Sequence, residues 1–84
     1  MNMLIKNDSI KGVKAITPHN SNIIDQNYNH ALMVEAAGKV ECIFHDGTVC
    51  TFAFANNEIL KVQAKVITAA GTTATGIKGL KLYD

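Results

Sequence analysis

The chain has 84 residues, enough for one domain with a thin margin, since a domain this small buries only roughly 60–65% of its unfolded surface. Its composition is that of an ordinary folded protein, 48% hydrophobic and 18% charged, and a formal charge of +1 leaves no electrostatic footprint for nucleic acid or an anionic membrane. No apolar run approaches the ~20 residues needed to span a bilayer and residues 1–5 are too short for a secretory core, so cytoplasmic synthesis with reduced thiols is expected.

Residues 1–14 mix charged and apolar side chains without a clean period. They are expected to form an N-terminal arm, flexible or exchanged between subunits, ahead of a single domain over residues 15–84. A short strand is expected over residues 13–17, ended by Pro18, the only proline. The polar stretch from His19 to His30 favours turns, because Asn, Asp and Ser side chains compete for nearby backbone groups. It reads as a long loop anchored on the core by Ile23 and Ile24. Residues 31–36 form the next expected strand, and Ala37-Gly38 a tight turn.

Residues 38–54 carry the strongest local signal, two runs rich in β-branched and aromatic side chains around Asp46-Gly47. A two-residue turn is expected there, which sets Phe44 opposite Val49 and Cys42 opposite Thr51. One face of the hairpin then carries Val40, Cys42, Phe44, Val49 and Ala53, and the other Ile43, Cys50, Phe52 and Phe54. A three-residue turn with a glycine bulge at Gly47 would instead shift the register by one and set Cys42 against Cys50. With both faces largely apolar, where a hairpin in a solitary sheet shows one wet face, Ile43, Phe52 and Phe54 are expected at a subunit contact. The competing assignment places these phenylalanines in the core of one subunit.

Ala55-Asn56-Asn57 is the next turn. Residues 58–69 alternate, with Leu60, Val62, Ala64 and Val66 against Ile59, Lys61, Gln63 and Lys65, and are expected to be one long strand with a single dry face. A loop of small residues, 70–76, precedes a last strand over residues 77–83. Five to six or more short strands without a convincing helix point to an all-β fold, a small antiparallel β-sandwich or barrel.

Chemistry-bearing groups are scattered. Strand parity separates Cys42 from His45 and Cys50, so no metal set forms. Cys50 and His45 are displaced along the hairpin and lack a third group to orient them as a nucleophile pair. The seven carboxylates form no acid–base pair. Gly71-Thr72-Thr73-Ala74-Thr75-Gly76 looks like a phosphate cradle but lacks the lysine and following helix of a P-loop. No enzymatic activity, cofactor or metal is therefore expected. A carbohydrate-binding module is the alternative, with Tyr28 and the Asn-rich loop as contacts, although three phenylalanines, two tyrosines and no tryptophan provide few stacking rings.

The order of features is informative as a whole: Ala15-Ile16-Thr17-Pro18, a polar loop, Ala31-Leu32-Met33-Val34, Ala37-Gly38-Lys39-Val40, then Asp46-Gly47-Thr48 with Thr51-Phe52, and finally Gly71-Thr72-Thr73-Ala74-Thr75-Gly76-Ile77. Over residues 15–83 it resembles the small spike-base and capsid decoration proteins of tailed bacteriophages and gene transfer agents. The resemblance implies a β-rich virion structural protein. It implies a homo-oligomer, trimer or pentamer, seated on the capsid protein and carrying a spike or fibre protein. The chain departs from that pattern at Ala55-Asn56-Asn57-Glu58 and in its basic final strand, both of which bear on the attachment surface.

Overall fold

A computed structural model describes residues 10–83. Among these residues seven strands follow in order: Gly12–Ala15 (β1), Ala31–Met33 (β2), Gly38–Ile43 (β3), Val49–Phe54 (β4), Ile59–Leu60 (β5), Val66–Ile67 (β6) and Lys78–Lys81 (β7). A single 3-10 turn, Gln26–Tyr28, interrupts the loop between β1 and β2. The strands make two antiparallel sheets, one ordered β1-β7-β2-β5 and the other β4-β3-β6. The all-β expectation holds.

The main core takes Leu32, Val34 and Ile77 from the four-stranded side and Val40, Cys42, Phe54 and Ile67 from the three-stranded side. It therefore lies between the sheets, as the period-2 alternation of β3 requires, with Val40 and Cys42 buried and their odd-numbered neighbours less so. A second, smaller cluster of Ala31, Leu80 and Leu82, with Ile10, Met33 and Ile59 packed on it, covers the opposite face of the four-stranded sheet.

Three expected elements differ from what forms. Residues 58–69 are not one strand: β5 pairs with β2 and β6 pairs with β3, so this segment crosses from one sheet to the other. The Val62 N–H donates to the Leu60 carbonyl at 2.9 Å, a three-residue turn that bends the chain at Lys61. Alternation survives the bend because Val62 and Ala64 still face the core. The strand expected over residues 31–36 stops at Met33, after which Val34 bonds to Glu58 and Ala36 bridges to Thr75. The strand expected over residues 13–17 forms as β1 but runs from Gly12 to Ala15, so it takes in residues 12–14 of the proposed arm, pairs with β7 from Gly12↔Lys81 onward and stops two residues early. The rest of the proposed arm, residues 1–9, lies outside the described residues.

Candidate assembly surface

The β3–β4 hairpin closes through His45-Asp46-Gly47, a three-residue loop. Gly47 N–H donates to the Phe44 carbonyl at 3.0 Å, and Phe44 N–H to the Thr48 carbonyl at 2.8 Å. Gly47 has φ +88, the left-handed conformation of a glycine bulge. The two-residue turn is thus overturned in favour of its rival, and Cys42 stands opposite Cys50. Asp46 explains the choice: its Oδ1 accepts the Thr48 N–H at 2.9 Å, which stabilises a turn that reaches Thr48. Hydrogen bonding with the Thr48 side chain, and then with its amide, holds the Asp46 carboxyl below its ordinary value.

A one-residue change of register regroups every side chain across the hairpin. Cys50, Phe52 and Phe54 now share the inward parity with Val40 and Cys42. Phe54 is buried at 4% exposure, while Phe52 is half-buried against the core and meets Phe44 edge-on with ring centroids 6.2 Å apart. Ile43 lies on the other face beside Val49, which is 54% exposed. The trio Ile43, Phe52 and Phe54 is therefore divided between two faces: Phe54 is core, and Ile43 stands on the outer wall.

The two thiols also differ. Cys42 is buried and Cys50 exposed, and both are free. Burial, then the neighbouring Cys50 and Glu41, pushes the Cys42 thiol up from 9.0 to about 11.

The two edges of the three-stranded sheet are treated unequally. On the β6 side the His19–His30 loop closes over the sheet, with His19 N–H donating to Ile67 at 2.9 Å and Ile24 N–H to Lys65 at 3.0 Å. Asn20 Oδ1 accepts from the amides of Ala69 and Ala70. Beside β6, the Gly-Thr-Thr-Ala-Thr-Gly loop docks onto β3. Lys39 N–H donates to Thr73 Oγ1 at 2.8 Å, the Lys39 carbonyl accepts from Thr73 at 2.7 Å, and Glu41 N–H donates to Thr72 Oγ1 at 3.1 Å. Thr68 Oγ1 donates to Glu41 Oε1 at 2.7 Å and accepts from Gly71 N–H. This loop is a clamp made by threonine hydroxyls.

Strand β4 forms the other edge, and among the described residues it pairs with β3 alone. The Phe44–Thr48 bond fixes the antiparallel pattern, so Val49, Thr51 and Ala53 direct their N–H and C=O groups away from β3. The same three residues, with Cys50, are exposed. Sequence reasoning passed over this edge in favour of the larger aromatic side chains. A signal was present: Val49–Phe54 contains neither charge nor proline, the features that usually protect an edge strand.

The remaining candidates have local roles. His19 Nδ1 accepts from the amides of Ser21 and Asn22, His30 Nδ1 accepts from Leu82 N–H at 2.9 Å, and His45 Nε2 meets Gln26 Oε1 at 2.9 Å. Among the described residues no group of three or more His, Cys, Asp or Glu side chains is arranged to hold a metal ion. Tyr28 lines a cleft of about 220 Å³ with Lys14, Ile16, Ile23, Ile24 and Asp25. Lys14 and Asp25 pair across it at 2.8 Å; their hydrogen bond raises the Lys14 pKa and lowers that of Asp25. Lys78 likewise pairs with Glu35 at 2.7 Å and lowers its pKa.

Neither a family profile nor a curated protein matches this chain. Among solved structures it is similar to a chain in the capsid of a native gene transfer agent particle computed with C5 symmetry. The two are 29% identical, the match covers 86% of this chain and 83% of that one, and the TM-score is 0.78. Extending over most of both chains, the likeness supports a capsid-related, virion structural protein.

Proposed function

We propose that this protein is a capsid decoration or spike-base subunit that assembles into a symmetric homo-oligomer and anchors a spike or fibre to the particle. The role is structural rather than enzymatic: geometry, not chemistry, is what the protein supplies. The observation that carries this reading is the match to a chain of a gene transfer agent capsid with C5 symmetry. Of the two stoichiometries raised by the sequence, that symmetry favours a pentamer, which places one ring on a fivefold axis. A cyclic ring needs two different patches on each subunit, joined head to tail until the rotation closes. The β4 edge, which pairs with β3 alone among the described residues and carries the exposed Val49, supplies one such patch.

Native mass spectrometry of the purified protein, joined to its recovery from isolated particles, tests the proposal. A pentamer that co-purifies with capsids is expected. A trimer on particles would overturn the fivefold placement, and a monomer at every concentration that is absent from particles would overturn the whole reading.

A further inference from the structure

We propose that Cys42 and Cys50 are a redox modification site, closed into a reversible cross-strand disulfide by exchange with a small-molecule disulfide of the glutathione type.

The hairpin register places the two thiols for it. Cys42 and Cys50 stand directly opposite each other on β3 and β4, so their side chains leave the sheet on the same face. The bond from Phe44 N–H to the Thr48 carbonyl makes Phe44↔Thr48 a hydrogen-bonded pair, and alternation along the ladder makes Cys42↔Cys50 one as well. Such pairs hold their Cα atoms about 5.5 Å apart. That lies inside the range of about 4.4–6.8 Å that a disulfide accepts. A two-residue turn would have set Cys42 against Thr51 and turned Cys50 to the other face. The site is therefore a product of the His45-Asp46-Gly47 loop.

Access to the two sulfurs is unequal, and this orders the chemistry. Cys50 is exposed, whereas Cys42 is buried in the main core. A small disulfide reaches Cys50 first, and the raised pKa of Cys42 favours the same order, because the thiolate is the attacking species. The Cys50 thiolate attacks one sulfur of oxidised glutathione, whose S–S bond breaks, and the departing glutathione thiolate takes up the proton that Cys50 released. Cys42 then attacks the Cys50 sulfur, and its proton passes to the second glutathione as that leaves. Two protein thiols lose two electrons, and one glutathione disulfide becomes two thiols.

The geometry makes the bond labile. Opposed Cβ atoms lie about 4.5–5.5 Å apart, with hydrogen-bonded pairs at the wider end. A disulfide draws them to about 3.5–4.5 Å, so closure pinches the hairpin, and strained disulfides are the readily reduced ones. Residues 45–50 are all exposed, which leaves the hairpin tip free of packing that would resist this adjustment. A particle subunit that leaves reducing surroundings would close the pair on release. That timing rests on the proposed function; the chemistry of the pair does not.

The folded parent protein is incubated with oxidised glutathione and followed by intact mass and peptide mapping. The expected sequence is a glutathione adduct on Cys50, then a species lighter than the reduced protein by two hydrogens with Cys42 linked to Cys50. Excess reduced glutathione is expected to restore the starting mass. Cys42→Ala is expected to keep the adduct on Cys50, and the double variant Cys50→Ser with Thr51→Cys, whose thiol stands on the other face, is expected not to close. A persistent adduct in the parent protein, linkage of Cys50 between subunits, or equal closure from position 51 would overturn the inference. A bond that reduced glutathione fails to reopen would overturn its reversibility. Each readout is made on a single chain, so a protein that closes the bond yet never forms a ring would overturn the proposed assembly and uphold this site.

Discussion

Cys42 shows how much one buried side chain is constrained by its position. Its thiol packs between the sheets opposite the exposed Cys50, and burial pushes it up from 9.0 to about 11. A raised value means that the folded protein keeps the proton while the unfolded chain ionises. The stability this provides is complete below pH 9 and is lost as pH climbs toward 11. Thermal melts between pH 8 and 11 are therefore expected to show an alkaline decline that flattens in Cys42→Ala. An unchanged slope in that variant would remove Cys42 as its source. Gly47 is equally constrained, since its positive φ is what allows a three-residue turn to close the hairpin.

At the scale of elements, the threonine-rich loop is the clamp that joins the sheets. It bonds to Lys39 and Glu41 of β3 and, through Thr75, to Glu35 and Ala36 beyond β2. The clamp needs a close approach at Gly38, where an added Cβ would lie 2.5 Å from the Ala74 amide nitrogen. Backbone cannot yield as a side-chain tip does, so Gly38→Ala is expected to cost about 1–3 kcal/mol. Chemical denaturation measures that loss, and a variant as stable as the parent would show that the loop moves freely from β3. The crossover from β5 to β6 is the counterpart on the next segment, passing the chain between sheets while Val62 and Ala64 remain inside.

For the whole molecule, core and assembly surface are separable. Leu32 and Ile67 are fully buried, one from each sheet, and truncating either to alanine is expected to cost about 2–5 kcal/mol. That is a large share of the about 5–15 kcal/mol typical of a domain. Val49, 54% exposed on the β4 edge, is different. Val49→Lys is expected to change subunit stability by no more than about 0.5 kcal/mol while preventing ring formation. Paired melting and native mass spectra distinguish these effects, and a Val49→Lys protein that still forms the ring would exclude this edge from the contact.

Local pattern was enough for the all-β class, the position of the hairpin and the shared parity of Val40 and Cys42. These follow from side-chain periodicity and turn chemistry, which act over a few neighbouring residues. The register of the hairpin was not fixed in the same way, because Asp-Gly serves both a two-residue and a three-residue turn. A single step between them moved Phe52 and Phe54 from the outer wall to the core side, away from Ile43. The break at Lys61 was hidden for a related reason: alternation reports which side chains are dry, and a chain that changes sheets can keep the same side chains dry. Which edge has no further strand partner among the described residues was decided only by the tertiary structure. Covering β6 takes loop residues about 45 positions earlier in the chain, such as His19 and Ile24 against Ile67 and Lys65, and pairing over that distance is set by packing rather than by local pattern.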